Sequence, residues 1–268
     1  MQQVSQGFKA SYGKSLTDTV NSEVSGDFGS LCLSLCLSLA EFDATCINKA
    51  IDGMGTDEDA LVETLCGRSN AEIYAIKQAY GLKFRRDLER EVANDLSGHM
   101  KRLFVAMVQG QRDETGQILN VDADVEALYK AGAGKMGTDE STFIMIFCTR
   151  SDRHLVAVFD AYTQKHNKTM DKVIKSEFSG DMEKALLAMF RSIQNRPHFL
   201  ADCFEKSMAG LGTKDSKLIR LTVRCRHPQL MAQVKQAYLA RYGKSLHKRV
   251  DGETSGDYRK LLLTIIGQ

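Results

Sequence analysis

The chain has 268 residues, 43% of them hydrophobic and 26% charged, with a formal net charge of +2. That length and balance describe an ordinary folded protein of one or two domains and exclude a disordered or fibrous chain. Near-neutral charge gives no whole-protein electrostatic case for nucleic acid, and no basic-plus-aromatic RNA motif supplies one.

The seven cysteines show no paired spacing, and the first residues, MQQVSQGFKASYGKS, lack a charged leader followed by an apolar run. Reduced thiols in a cytoplasmic protein are the expectation. The most membrane-like stretch, Phe28 to Ala40, is thirteen uncharged residues. A spanning helix needs about 20, so the sequence predicts no bilayer crossing while leaving binding to a membrane surface open.

Only two prolines occur, Pro197 and Pro228, and apolar residues recur three and four apart, as in Ala60, Leu61 and Leu65 or Ile73, Ile76 and Tyr80. The chain therefore reads as all-α. In chain order, YGKSL (12–16) leads to SEVSGDF (22–28) and then to LCLSLCLSLA (31–40). This last string alternates with period two, as a strand would, but its counterparts KRLFVAMVQ (101–109), KALLAMFRS (184–192) and KLLLTIIGQ (260–268) do not. A helix is predicted, with Cys32 and Cys36 packed as small hydrophobes rather than paired on a metal. GMGTDE (53–58), GRSN (67–70), IKQAY (76–80) and NDLSGHM (94–100) follow. DADVEALYKAGA (122–133) starts like an EF-hand loop, but Ala127 stands where the glycine is needed and Ala133 where the bidentate Glu is needed. It reads as a linker running into a helix. Next come KMGTDE (135–140), TRSD (149–152), SEFSGDM (176–182), GLGTKD (210–215), VKQAY (234–238), YGKSL (242–246) and GETSGDY (252–258).

Two unrelated strings thus share one period. The S-G glycines at 26, 98, 180 and 256 are 72, 82 and 76 residues apart, and the second glycines of the other motif, at 55, 137 and 212, are 82 and 75 apart. Four repeats are predicted, spanning 1–41, 42–112, 113–195 and 196–268, the first incomplete because nothing like G-x-G-T precedes YGKSL near the start.

Within each opening motif, Thr56, Thr138 and Thr213 are expected N-caps, and Asp57, Glu58, Asp139 and Glu140 place negative charge in the first helical turn. The glycines permit a tight loop whose carbonyls share one small volume, an environment for a hard cation. The carboxylate comes from the second motif, where Glu23, Asp95, Glu177 and Glu253 stand directly before x-S-G. Gly53 to Asp95 and Lys135 to Glu177 are each 42 residues, and Gly210 to Glu253 is 43. Competing motifs fail. The places five before the glycine of GKS (13–15 and 243–245) hold Phe8 and Tyr238 where a P-loop needs glycine, and Met136 follows Gly134-Lys135. H-E-x-x-H, C-x-x-C and G-x-S-x-G are all missing, and the six histidines, at 99, 154, 166, 198, 227 and 247, are expected at the surface or as caps. No catalytic constellation emerges, and the chain is not expected to be an enzyme.

The G-x-G-T loops, GRSN and TRSD, IKQAY and the S-G strings, recurring at about 70 to 80 residues from residue 8 onward, resemble those of the annexin family. The resemblance implies repeats of five helices, four bundled and one capping, assembled into a curved disc. It implies calcium on the convex face, held by carbonyls of Ile51, Gly53 and Gly55 with Asp95, of Gly132, Lys135 and Gly137 with Glu177, and of Met208, Gly210 and Gly212 with Glu253. Met54, Met136 and Leu211 at the loop tips would touch lipid. Glu23, an acid with no preceding loop, would form no full site, and the shortened first repeat would expose apolar surface and favour self-association. The extra residue of the fourth repeat is expected around RCRHPQLM (224–231). The implied function is calcium-dependent binding of acidic phospholipids, peripherally at the cytoplasmic face of membranes. The alternative is a scaffold acting through cytoskeletal protein partners.

Overall fold

A computed structural model describes residues 2–53, 55–134 and 137–268. Among them are eighteen α-helices and no strand. The first three are α1 (Gln2–Tyr12), α2 (Leu16–Glu23) and α3 (Gly26–Cys36). A set of five follows: α4 (Leu39–Ile51), α5 (Glu58–Leu65), α6 (Asn70–Phe84), α7 (Leu88–Asp95) and α8 (Gly98–Gln109). A second set comprises α9 (Val121–Ala131), α10 (Glu140–Thr149), α11 (Asp152–His166), α12 (Met170–Glu177) and α13 (Gly180–Gln194). The last comprises α14 (Arg196–Met208), α15 (Asp215–Arg224), α16 (Pro228–Tyr242), α17 (Leu246–Glu253) and α18 (Gly256–Ile266). Helices at matching places have matching lengths: α6, α11 and α16 have 15 residues each, and α2, α7, α12 and α17 have 8.

The recurrent strings are helix boundaries. Ser69 of GRSN accepts the Glu72 N–H while the Glu72 side chain accepts from the Ser69 N–H, a capping box that opens α6. Ser151 of TRSD caps α11, and Ser15 and Ser245 of the two YGKSL strings cap α2 and α17. Each S-G string enters its helix through a glycine with φ between +55° and +62°, at Gly26, Gly98, Gly180 and Gly256. A Cβ there would meet no atom, so glycine recurs because of backbone conformation rather than crowding.

The chain forms two compact units, one of residues 1–42 and 197–268, the other of residues 43–196. In the second unit α8 packs against α10 and α13 against α5. Its fully buried large side chains include Tyr80, Phe104, Phe143, Phe147, Phe159 and Tyr162. In the first unit α3 packs on α15 and α18, and Leu31, Phe204 and Tyr238 are fully buried. Each such apolar side chain contributes about 1.5–3 kcal/mol relative to exposure. By contrast α2 buries none of its residues.

Three local expectations are corrected. LCLSLCLSLA is helical at 31–36 and again at 39–40, but as the end of α3 and the start of α4 rather than one helix. Leu37 is extended (φ −87°, ψ 151°), and Ser38 and Glu41 then exchange side-chain and backbone hydrogen bonds at 2.9 and 3.2 Å to start α4. Residues 122–131 are helix from the outset, because the Asn120 side chain caps α9 by accepting the Ala123 N–H. His154 is neither at the surface nor a cap: it is fully buried, its Nδ1 accepting the Leu119 N–H at 3.1 Å and its Nε2 lying 2.8 Å from Asp124 Oδ2. Those partners place the ring proton on Nε2, donated to the carboxylate. Burial pushes the Asp124 carboxyl up, but hydrogen bonds from Arg150 (2.6 and 3.0 Å) and His154 prevail and hold it below the usual range. The same place in the preceding repeat is filled by Asp43, 2.6 Å from the buried Arg68. None of the described helices is long and apolar enough to cross a membrane.

Candidate metal sites

Three loops close in the same way. The Asp57 N–H donates to the Ala50 carbonyl at 2.9 Å, Asp139 N–H to Ala131 at 2.6 Å, and Lys214 N–H to Ser207 at 2.8 Å. The residue after each acceptor is Ile51, Gly132 or Met208, the first carbonyl of each predicted ligand set. Gly53, Gly55, Gly137, Gly210 and Gly212 have φ of +143°, +92°, +81°, +102° and +81°, with nothing near the place of a Cβ. Here the backbone turn itself requires glycine. Gly132 differs: its φ is −119°, and a Cβ on it would stand 3.1 Å from Cγ and Cδ of Glu177. Glycine at 132 lets the loop backbone lie against the acid. Lys135, and with it Met54 and Met136, falls outside the described residues.

The threonines do not cap. Asp57 and Asp139 are the N-caps, accepting from Ala60 N–H and from Ser141 and Thr142 N–H, and Lys214 holds that place in the fourth repeat without a side-chain bond. One residue earlier, each threonine reaches the distant acid. The Thr56 hydroxyl donates to Asp95 Oδ2 at 2.6 Å, and Thr138 to Glu177 Oε2 at 2.9 Å and to the Glu177 carbonyl at 3.2 Å. Thr213 donates to the Glu253 carbonyl at 3.2 Å. An acid about 40 residues away is thereby held beside its loop. This tie was readable in the recurrence of threonine where the next residue varies between Asp and Lys, but the cap preference of threonine concealed it.

At the second repeat a cavity of about 240 Å³ adjoins the loop, lined by Ile51, Asp52, Glu91 and Asp95 among others. Asp52 is a second carboxylate that the spacing argument missed; Ala133 and Ala209 stand at the corresponding places next to the first ligand in the other loops. At the fourth repeat a guanidinium lies among the predicted ligands: Arg249 donates to the Met208 carbonyl at 2.5 Å and to the Glu253 carboxylate. The tip residue Leu211 is wholly exposed, at 109% of its reference area. The extra residue of this repeat falls between Thr213 and the N-cap His227, 14 residues apart, where Thr56 to Ser69 and Thr138 to Ser151 are 13.

The donors are carbonyl and carboxylate oxygens, the ligand type of a hard cation such as calcium. Among the described residues no three His, Cys, Asp or Glu side chains form a metal cluster, so a cation here would depend on the loop carbonyls. Two features fit such an ion: the Gly132 backbone against Glu177, and a carbonyl and carboxylate that already converge on a positive charge at Arg249.

Fold and loops together define an all-α repeat protein in which each G-x-G-T loop lies beside a distant second loop. The annexin sequence model matches residues 1–35, 42–107, 123–189 and 199–265, and the chain belongs to the annexin family. It is 42% identical over 268 residues to annexin A11 of Oryctolagus cuniculus, covering 99% of this chain and 53% of that protein. The chain spans about half the length of the first curated relatives it matches. Among solved structures, annexin III superimposes with a TM-score of 0.96 at 34% identity, over 99% of this chain and 83% of the other. A calcium-bound annexin (Sm)1 does so with a TM-score of 0.87 at 30% identity, over 100% and 80%.

Proposed function

We propose that this chain binds acidic phospholipid surfaces in a calcium-dependent way, peripherally at the cytoplasmic face of membranes, and has no enzymatic role. The observation that carries the proposal is the tie between each G-x-G-T loop and an acid about 40 residues on, made by Thr56, Thr138 and Thr213. The carbonyls of Ile51, Gly53 and Gly55 with Asp95, of Gly132, Lys135 and Gly137 with Glu177, and of Met208, Gly210 and Gly212 with Glu253 would hold the ions. Kinship with a protein whose structure is titled calcium-bound supports the same ion.

The chain's own residues supply a low-charge site. Neutral carbonyls with one carboxylate leave a dipositive ion about one positive charge and open positions, because calcium takes six to eight oxygens. A lipid phosphate would fill those positions and cancel that charge. Exposed Leu211 at the tip of its loop is placed to enter the apolar layer beneath. Several such sites multiply a weak single affinity.

Co-sedimentation with phosphatidylserine vesicles tests the proposal. The chain should pellet in calcium and stay in solution with chelator. Pelleting indifferent to chelator would reject it, and filament binding without calcium would favour a cytoskeletal scaffold.

A further inference from the structure

In the fourth repeat the cation position is contested by the chain itself. Arg249 lies one helical turn before Glu253 on α17 and donates from Nη1 to the Glu253 carboxylate and from Nη2 to the Met208 carbonyl at 2.5 Å. These are the first carbonyl and the acid of the predicted ligand set. Its Nε and Nη2 also lie 3.4 and 3.5 Å from the two carboxylate oxygens of Glu205, which accepts the Tyr238 hydroxyl as well. The arginine side chain is only 19% exposed. One positive charge therefore sits between two carboxylates and a loop carbonyl.

The other repeats are built differently at the same places. Glu91 and Val173 stand where Arg249 does, in the fourth position of their eight-residue helices. Asn48, whose Oδ1 accepts the Tyr80 hydroxyl at 2.9 Å, stands where Glu205 does. Among the described residues neither Asp95 nor Glu177 has an ion-pair partner; each is held by a neutral threonine hydroxyl. Arg249 and Glu205 together are peculiar to the fourth repeat.

We infer that Arg249 is a tethered cation that occupies the fourth site and competes with calcium for Met208 and Glu253. This inference rests on the reading of those residues as a calcium site. Two cations cannot share the carboxylate and the carbonyl at these distances, so calcium enters only as the guanidinium leaves. The fourth site then fills at higher calcium than its oxygen donors alone would require.

The test isolates this site by placing Asp95→Asn and Glu177→Gln in the full chain and titrating calcium alone by calorimetry. On that background Arg249→Gln should raise calcium affinity about tenfold or more, the scale on which a neighbouring unit charge shifts the titration of another. Adding Glu253→Gln should abolish the gain, and Arg249→Lys should retain most of the block. Thermal unfolding gives a second readout. Without calcium Arg249→Gln should lower the Tm, because Glu205 and Glu253 then repel each other, and calcium should restore it. A Tm loss that calcium does not repair, or a calcium affinity that Arg249→Gln leaves unchanged, would overturn the competition while leaving the site intact. If neither chain binds calcium but the chain with Asp95 and Glu177 does, the fourth site is no calcium site and the inference falls with it. If the unmodified chain binds none, the proposed function itself fails.

Discussion

Glu177→Gln should raise the calcium needed for half-maximal vesicle binding by about tenfold or more and leave helicity unchanged. Glu177 is the only charged ligand proposed for its site, and a charged partner is worth about 1.5–3 kcal/mol, roughly ten- to a hundredfold. Loss of one site of several also weakens multivalent attachment. The fold should tolerate the change. Glu177 is the last residue of α12, only partly buried, and a glutamine oxygen can still accept the Thr138 hydroxyl that holds it against the loop. Vesicle co-sedimentation across a calcium series, with circular dichroism alongside, measures both. An unchanged calcium dependence would show that Glu177 is not a ligand.

Asp43→Asn should destabilise residues 43–196 by about 3 kcal/mol, the low end for breaking a buried ion pair. The Arg68 and Asp43 side chains are 1% and 3% exposed and 2.6 Å apart, so the substitution removes the buried countercharge and leaves the guanidinium to the Thr64 carbonyl at 3.3 Å and the partly exposed Glu72 at 2.8 Å. With about 2–4 °C per kcal/mol for domains of this size, scanning calorimetry should show a Tm roughly 6–12 °C lower. A shift under about 2 °C would mean that solvent or a neighbour takes over the role of Asp43. Asp43→Leu combined with Arg68→Met should lose less than Asp43→Asn alone, since removing both charges leaves neither of that pair uncompensated.

The repeats and helices could be read from the sequence because helix boundaries recur as strings: Ser69 and Ser151 cap α6 and α11, and four S-G glycines open helices with positive φ. The loop register was readable for the same reason, and the three matching closures onto Ala50, Ala131 and Ser207 follow it. Other features depended on tertiary partners. Thr56 and Thr138 have the chemistry of caps, and only the folded chain brings Asp95 and Glu177 within hydrogen-bond reach of them. His154 is buried because Asp124 and the Leu119 N–H satisfy both ring nitrogens, a pairing that crosses 30 and 35 residues. The helix predicted at 31–40 is present, but its break at Leu37 was hidden because a helix end, an extended residue and a capping box stand within one apolar string. Arg249 drew no notice in the sequence; that it reaches Met208, 41 residues away, is a property of the fold.

The central claim is that calcium bound at these loops keeps open positions that a lipid phosphate completes, so ion and membrane strengthen each other. Calorimetric titration of calcium into the chain, with and without phosphatidylserine vesicles, measures that coupling directly. The predicted result is weak binding alone and an affinity about 5–150-fold higher with vesicles, the usual span of such coupling. The same calcium affinity in both titrations would contradict it.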